Sequence, residues 1–388
     1  MSNTVHYGTT MTVVFRADAS LEIGTGHVMR CLTLAEVLKA KGAKCHFLCR
    51  EQSGHLSDAI EARGFPVHRL PMGDAEPFGA AAHEAGELAH AAWLGASWQQ
   101  DAAASRPLLK QLSPDWLVVD HYALDARWEA AVLPGPKTRL LVIDDLADRP
   151  HRADLLLDQN LGRKAEDYVS LVPAHCRVLV GPQHALLRPE FAELRDVSLA
   201  RRQHGSLQRL LITLGGVDKD NATGRVLKAL KACELPDDLK ITVVMGATAP
   251  WLDDVKARAA ELPWPTEVVV NVSDMARRMA EADIAIGAAG STSWERCCLG
   301  LPTLMLVLAE NQREVALMLD ALGAAKLLGQ ICNILESLPK TLNSMGTVEL
   351  DKMSQHAASL VTGTGAGEMV AIIQEAVSNP ATCLQGVQ

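Results

Sequence analysis

The stretch Val13-Val14-Phe15-Arg16-Ala17-Asp18-Ala19-Ser20-Leu21-Glu22-Ile23-Gly24-Thr25-Gly26-His27-Val28-Met29-Arg30 decides the fold class. Its β-branched and aromatic opening reads as a strand. Gly24 and Gly26 bracket a tight turn. From His27 an apolar stripe of Val28, Cys31, Leu32, Leu34, Ala35 and Leu38 follows one helix face, and Gly42 ends that helix. Strand, glycine loop and helix in this order open a parallel α/β sheet. Such a loop leaves backbone N–H groups free at a helix start, a setting for an anion. His27 falls where the loop becomes the helix, at the carboxyl edge where open α/β sheets take ligands. A Gly-x-Gly pair also occurs where only a turn is needed, and a histidine there also serves as a structural cap. Its titration near neutrality equally suits it to proton transfer.

The same alternation runs along the chain. Strands are predicted at 44–49, 66–70, 115–120, 139–145, 153–157 and 177–180, with a helix at 56–63 and one or two helices in the Ala-rich residues 73–106. Trp93 and Trp98 read as core anchors. The strand Asp115–Asp120 ends in His121 and Tyr122, at the same edge as His27. Tyr122 is there a packed side chain or a ligand contact. Asp120 is suited to orienting a base, although nothing in the sequence brings it within reach of His27. Asp144 and Asp145 end the next strand; a metal needs more ligands than this pair offers, and polar strand ends account for them. Residues 195–207 are polar and charged and read as an interdomain linker.

A second half opens as the first does. Leu210–Leu214 and Gly215-Gly216 form strand and glycine loop, with Asp220 and Asn221 as caps for a helix to Lys231. Further strands are predicted at 241–245, 267–270, 283–286 and 302–308, then helices at 313–328, 353–360 and 367–376. The loop Gly287–Ser293 is built of small residues and lets a diphosphate approach the backbone, with the Ser291 and Thr292 hydroxyls at a helix start. Glu295, one turn on, either accepts both hydroxyls of a ribose or is a glutamate favoured by the helix dipole.

With 388 residues, 48% of them hydrophobic, the chain has room for two domains with sizeable cores. Net charge is −9 and no basic block is present, which argues against nucleic acid. The nine cysteines form no Cys-x-x-Cys pair and read as reduced residues of a cytoplasmic protein. No run of about 18 apolar residues and no basic-then-apolar leader pattern is present, so neither a membrane span nor export is expected. Residues 1–10 and the last ten read as tails.

Arg16-x-Asp18-x-Ser20, then Ile23-Gly24-x-Gly26-His27 and Arg30, resembles the opening of the UDP-sugar hydrolases of pseudaminic acid synthesis, which remove UDP from a diacetamido-trideoxy-altrose. Asp120-His121-Tyr122, Ala185-Leu186-Leu187-Arg188-x-Glu190-Phe191, Gly215-Gly216 and Asn311-Gln312 follow in the family's order. The related lipid-II-forming glycosyltransferases share the Asn-Gln. The resemblance spans roughly residues 11–375. It implies a GT-B-like α/β fold, two Rossmann-like domains facing across a cleft: 11–195 with the catalytic histidine and sugar side, 208–376 with the UDP side. It implies His27 as general base on a water attacking C1 with inversion. Substrate contacts would come from Gly26, Asp18, Tyr122, Asn221, Glu295, Asn311 and Gln312. Gly215, Gly216, Val270, Met275, Ser291 and Thr292 would hold the nucleotide diphosphate. No cofactor or metal is expected, the partner is a small UDP-sugar, and the chain is expected to be a monomer serving flagellin glycosylation. A glycosyltransferase on the same fold and a nucleotide-sugar-binding protein without turnover are the alternatives.

Overall fold

The computed structural model describes residues 10–73, 88–133, 135–203, 207–246 and 249–378. The N-terminal tail to residue 9, residues 74–87 of the Ala-rich stretch, Gly205 of the expected linker and the C-terminal tail lie outside them. The chain divides into two compact units, one from the N-terminus to Leu186 together with Gly365 onward, the other Leu187–Thr364.

In the first unit, seven strands form a parallel sheet: β1 (Thr12–Ala17), β2 (Lys44–Arg50), β3 (Val67–Leu70), β4 (Trp116–Asp120), β5 (Arg139–Ile143), β6 (Leu155–Asp158) and β7 (Arg177–Val180). The spatial order is β3-β2-β1-β4-β5-β6-β7. Helices cover both faces of such a sheet, so its strands read as near-continuous apolar runs; β4 and β6 are buried at every residue. Strand order reverses between β1 and β4, and the loops after these two strands flank the crevice where such sheets bind ligands.

The second unit repeats the plan with β8 (Arg209–Thr213), β9 (Lys240–Met245), β10 (Thr266–Val270), β11 (Ile284–Ala288), β12 (Thr303–Val307) and β13 (Lys326–Gln330). The order is β10-β9-β8-β11-β12-β13, all parallel, with the switch point between β8 and β11.

Three sequence expectations change. Residues 195–202 are no linker: they continue the helix Pro189–Arg202, which belongs to the second unit. Three of its polar side chains bond carbonyls that other helices leave free. Arg195 donates to Ala358 O at 2.7 Å and Val361 O at 2.8 Å, Arg202 to Met279 O and Ala282 O at 2.8 Å each, and Ser198 Oγ to Leu299 O at 2.7 Å. The second domain therefore begins before 208. It also ends before 376, because the helix Gly365–Ser378 returns to the first unit and buries Met369, Val370 and Ile373 in its core. Finally, the helix expected over 313–328 stops at Ala321, and Lys326–Gln330 pairs with β12 as an edge strand through a register shift. A further helix covers Ile334–Ser344.

A buried polar hub lies under the first sheet. Asp101 accepts from Arg16 (2.7 Å), Arg50 (2.5 Å) and Trp128 Nε1 (2.9 Å), while Arg16 also grips Asp18 at 2.7 and 2.9 Å. None of Arg16, Asp18 and Asp101 is exposed. Each buried charge is offset by an opposite one and by hydrogen bonds, the condition under which such groups are tolerated.

Candidate active site

The turn after β1 is closed on itself. Ser20 and Gly24 exchange backbone hydrogen bonds, and Ser20 Oγ accepts from the amides of Glu22 and Ile23. Gly24 adopts φ +78°, a conformation an L side chain rarely takes. The helix Gly26–Ala40 starts directly afterwards, so His27 and Arg30 stand on its first turns beside the end of β4.

There the two meet Asp120. His27 Nδ1 lies 2.6 Å from Asp120 Oδ1. Arg30 donates to both Asp120 oxygens at 2.6 Å and to Asp145 at 3.0 and 2.7 Å. Cys31 Sγ adds a weak donor to Asp120 at 3.6 Å. The adjacent Arg30 and His27 overcome the burial of the Asp120 carboxyl and hold it far below the usual carboxylate range. An ionised carboxylate only accepts, so the neutral imidazole carries its proton on Nδ1 and keeps Nε2 basic. Among the described residues Nε2 has no hydrogen-bond partner, and the side chain retains 9% exposure. The sequence offered no way to see the Asp120–His27 contact. The two are 93 residues apart, and only the β1–β4 pairing brings them together.

Tyr122, expected as a substrate contact, is 8% exposed and donates its hydroxyl to Asp145 at 2.7 Å. Its ring meets His27 edge-on at 4.6 Å. Asp18 is also not open to a ligand: its carboxylate is spent on Arg16, accepts the Arg50 amide at 2.7 Å and lies 3.2 Å from His121 Nε2. The Asp144–Asp145 pair holds cations of the protein itself. Arg149 lies 2.8 Å from Asp144, and Arg30 takes Asp145. Among the described residues no three His, Cys, Asp or Glu side chains converge as a metal would need.

In the second unit the expected nucleotide residues share the carboxyl edge of one sheet. Gly215 (φ +103°) and Gly216 follow β8, and open space lies where their side chains would be. Val270, 39% exposed, ends β10, and Met275 opens the helix after it. Ser291 and Thr292 follow β11; the Thr292 hydroxyl accepts from Arg296 at 3.1 Å. Gln312 lies after β12. Its Oε1 accepts the Leu308 amide at 3.1 Å, which leaves its NH2 group facing Gly290. Asn311 occupies the same short turn, Glu310–Gln312. Glu295 is half-buried and its carboxylate takes no hydrogen bond from the described residues. Burial pushes its pKa up to about 7, against the pull of Arg188 and Arg296. Asn221 departs from the expected substrate role: its Oδ1 caps Gly224 N at 3.0 Å and its Nδ2 donates to Asp254 at 2.8 Å. Asp218 accepts the amides of Ala222 and Thr223 at 2.8 and 2.9 Å, so the first turn of this helix is satisfied internally.

A cavity of about 610 Å³ lies at the opposite, amino edge of this sheet, lined by Arg209, Lys240, Thr242, Glu267 and Arg278 among others. Its arginines are already paired, Arg209 with Glu281 and Arg278 with Glu267. It is not where the chemistry-bearing residues gather.

The class that the fold defines is that of proteins built of two parallel-sheet Rossmann-like units. Residues 210–371 match the glycosyltransferase family 28 C-terminal domain. The crystal structure of Acinetobacter baumannii MurG superposes with a TM-score of 0.67 at 20% identity, over 94% of this chain and 99% of that one. That likeness shows the fold, the two parallel-sheet Rossmann-like units of GT-B proteins. By sequence, the chain is 27% identical over 81% of its length to the UDP-2,4-diacetamido-2,4,6-trideoxy-beta-L-altropyranose hydrolase of Campylobacter jejuni, covering 97% of that enzyme. It is 29% identical over 53% of its length to the spore coat polysaccharide biosynthesis protein SpsG of Bacillus subtilis, covering 60% of that protein. No described helix is long and apolar enough to cross a membrane.

Proposed function

We propose that this chain is an enzyme that hydrolyses a UDP-activated diacetamido-trideoxy hexose to UDP and the free sugar. The observation that carries the reading is His27, locked by Asp120 through Nδ1 with Nε2 left basic, at the switch point of the first sheet. The likeness to the Campylobacter hydrolase supports the substrate class. UDP binds the second unit, its diphosphate on the loops at Gly215-Gly216 and Gly290–Thr292, its ribose on Glu295, with Asn311 and Gln312 on the sugar side. His27 Nε2 takes a proton from water as the water oxygen bonds to C1. The C1–O bond breaks, its electron pair leaves with the UDP phosphate, and C1 inverts. The Asp120 carboxylate stabilises the imidazolium that forms and does not itself take the proton. Asp18 and Asn221 have no part in binding in this scheme. In pathway terms, the free sugar would serve pseudaminic acid synthesis.

A transferase on the same fold is the second reading, favoured by the family 28 match over residues 210–371. One experiment separates the readings. The UDP-sugar is incubated without acceptor in ¹⁸O-water, with wild type, His27→Ala and Asp120→Asn. Hydrolysis releases UDP and places the label in the sugar. Both variants lose about 10²–10⁴-fold in turnover while UDP binding persists. UDP released only on adding an acceptor identifies the transferase, and tight binding with no release under either condition identifies a binding protein. Label in UDP would overturn attack at C1.

A further inference from the structure

Beyond its ion pairs, the surroundings of His27 are aromatic. Trp93 stacks on Tyr122 with ring centroids 5.7 Å apart and planes 24° from parallel. His90 closes the corner, 4.6 Å from Trp93 and 5.3 Å from Tyr122. Trp93 sits in the turn Ala91–Leu94, whose backbone is pinned where Gln52 Nε2 donates to Trp93 O at 2.7 Å. The sequence placed Trp93 in the core, yet it is only half-buried and covers the buried Tyr122. Two polar atoms of this wall are withdrawn. The Tyr122 hydroxyl is spent on Asp145, and His90 Nδ1 is buried without a partner. Tyr122 is buried while Trp93 and His90 stay partly open, so aromatic ring surface is what this wall offers a ligand.

We infer that Trp93 is the residue that selects the sugar, by packing against the apolar substituents of a 6-deoxy, N-acetylated hexose. This rests on the UDP-sugar reading above and adds the group that discriminates. A C6 methyl or an acetamido methyl gains by leaving water against an indole. A C6 hydroxymethyl placed against the same indole carbon gives up water there, which is a cost. Tyr122 then acts from behind: it backs the indole and borders His27.

The test is a binding measurement in the His27→Ala background, where the substrate survives, so its outcome does not depend on turnover. Titration calorimetry compares UDP, the UDP-diacetamido-trideoxy hexose and UDP-N-acetylglucosamine on His27→Ala, with and without Trp93→Ala or Trp93→Phe. The alanine should weaken the deoxy sugar about tenfold, the size expected for losing a packed aromatic contact with one or two methyl groups. It should leave UDP unchanged and weaken UDP-N-acetylglucosamine, which has one acetamido methyl and no C6 methyl, by less than the deoxy sugar, and phenylalanine should recover most of the loss. Unchanged affinity for the deoxy sugar, or equal losses for all three ligands, would overturn the assignment. Failure of wild type to release UDP would count against hydrolysis alone.

Discussion

Glu295 carries a pH signature that the paired carboxylates lack. Desolvation raises its pKa to about 7, so without ligand it holds a proton over much of the neutral range. Ribose hydroxyls donate to a carboxylate, so UDP binding in the proposed site releases that proton. The Glu295-dependent part of UDP affinity should rise about tenfold from pH 6 to pH 8, as the ionised fraction grows through a pKa near 7. Calorimetry on wild type and Glu295→Gln across that range isolates it from the titration of UDP itself; identical slopes for the two proteins would remove Glu295 from the ribose site. The stability signs also differ. The raised Glu295 pKa makes its ionisation a cost to the fold as pH rises through about 7. The lowered Asp120 pKa contributes stability at all pH above the carboxylate range and is lost only in acid.

At the scale of elements, the carboxyl edge of the second sheet is built by backbone approaching backbone. Gly246 N donates to Gly216 O at 3.0 Å, and a Cβ on Gly246 would stand 2.2 Å from that oxygen. The loops after β8 and β9 touch only because no side chain intervenes. Gly246→Ala should destabilise the protein by about 1–3 kcal/mol, the range for forced overpacking, and weaken UDP by displacing Gly215-Gly216. Thermal melts and calorimetry on the same variant read both effects; a wild-type melt would mean the loops are free to part. Gly287 answers a related constraint. A Cβ there would meet Arg296 Nη1 at 2.5 Å, and that guanidinium cannot retreat, being buried and bonded to Ala288 O (2.6 Å), Ser293 Oγ (3.0 Å) and Thr292 Oγ1 (3.1 Å). The small residues of this loop thus serve packing as well as any ligand.

On the scale of the whole molecule, the chain enters the second unit at Leu187 and leaves it at Gly365. The helix Gly365–Ser378 completes the first core with Ala366, Met369, Val370, Ile373 and Ala376. Fully burying a Met, Val or Ile is worth about 1.5–3 kcal/mol each, so the helix supplies an amount comparable with a domain's net stability of about 5–15 kcal/mol. A chain ending at Thr364 should expose an apolar face on the first unit, bind a hydrophobic dye and lose cooperative unfolding of that unit, while 187–364 keeps a cooperative melt. Calorimetric scans showing two intact transitions in the truncated chain would refute this.

What the sequence by itself determined is whatever depends on near neighbours. The strand–glycine–helix opening, the apolar strand runs and the duplicated glycine loop after Leu214 are local patterns, and local sterics and periodicity write them. His27 at a loop-to-helix junction and the polar ends of β4 and β5 were legible for the same reason. What only the tertiary structure decided depends on contacts between distant segments. The β1–β4 pairing joins His27 to Asp120 across 93 residues. Buried counter-charges turn Asp18 from an open carboxylate into part of a core hub. Free carbonyls of other helices tie Arg195, Ser198 and Arg202 into the second unit, and edge pairing overrides helix-forming residues at Lys326–Gln330. In each case the deciding energy is the pairing or burial of groups that the chain order keeps far apart, and no local pattern records it.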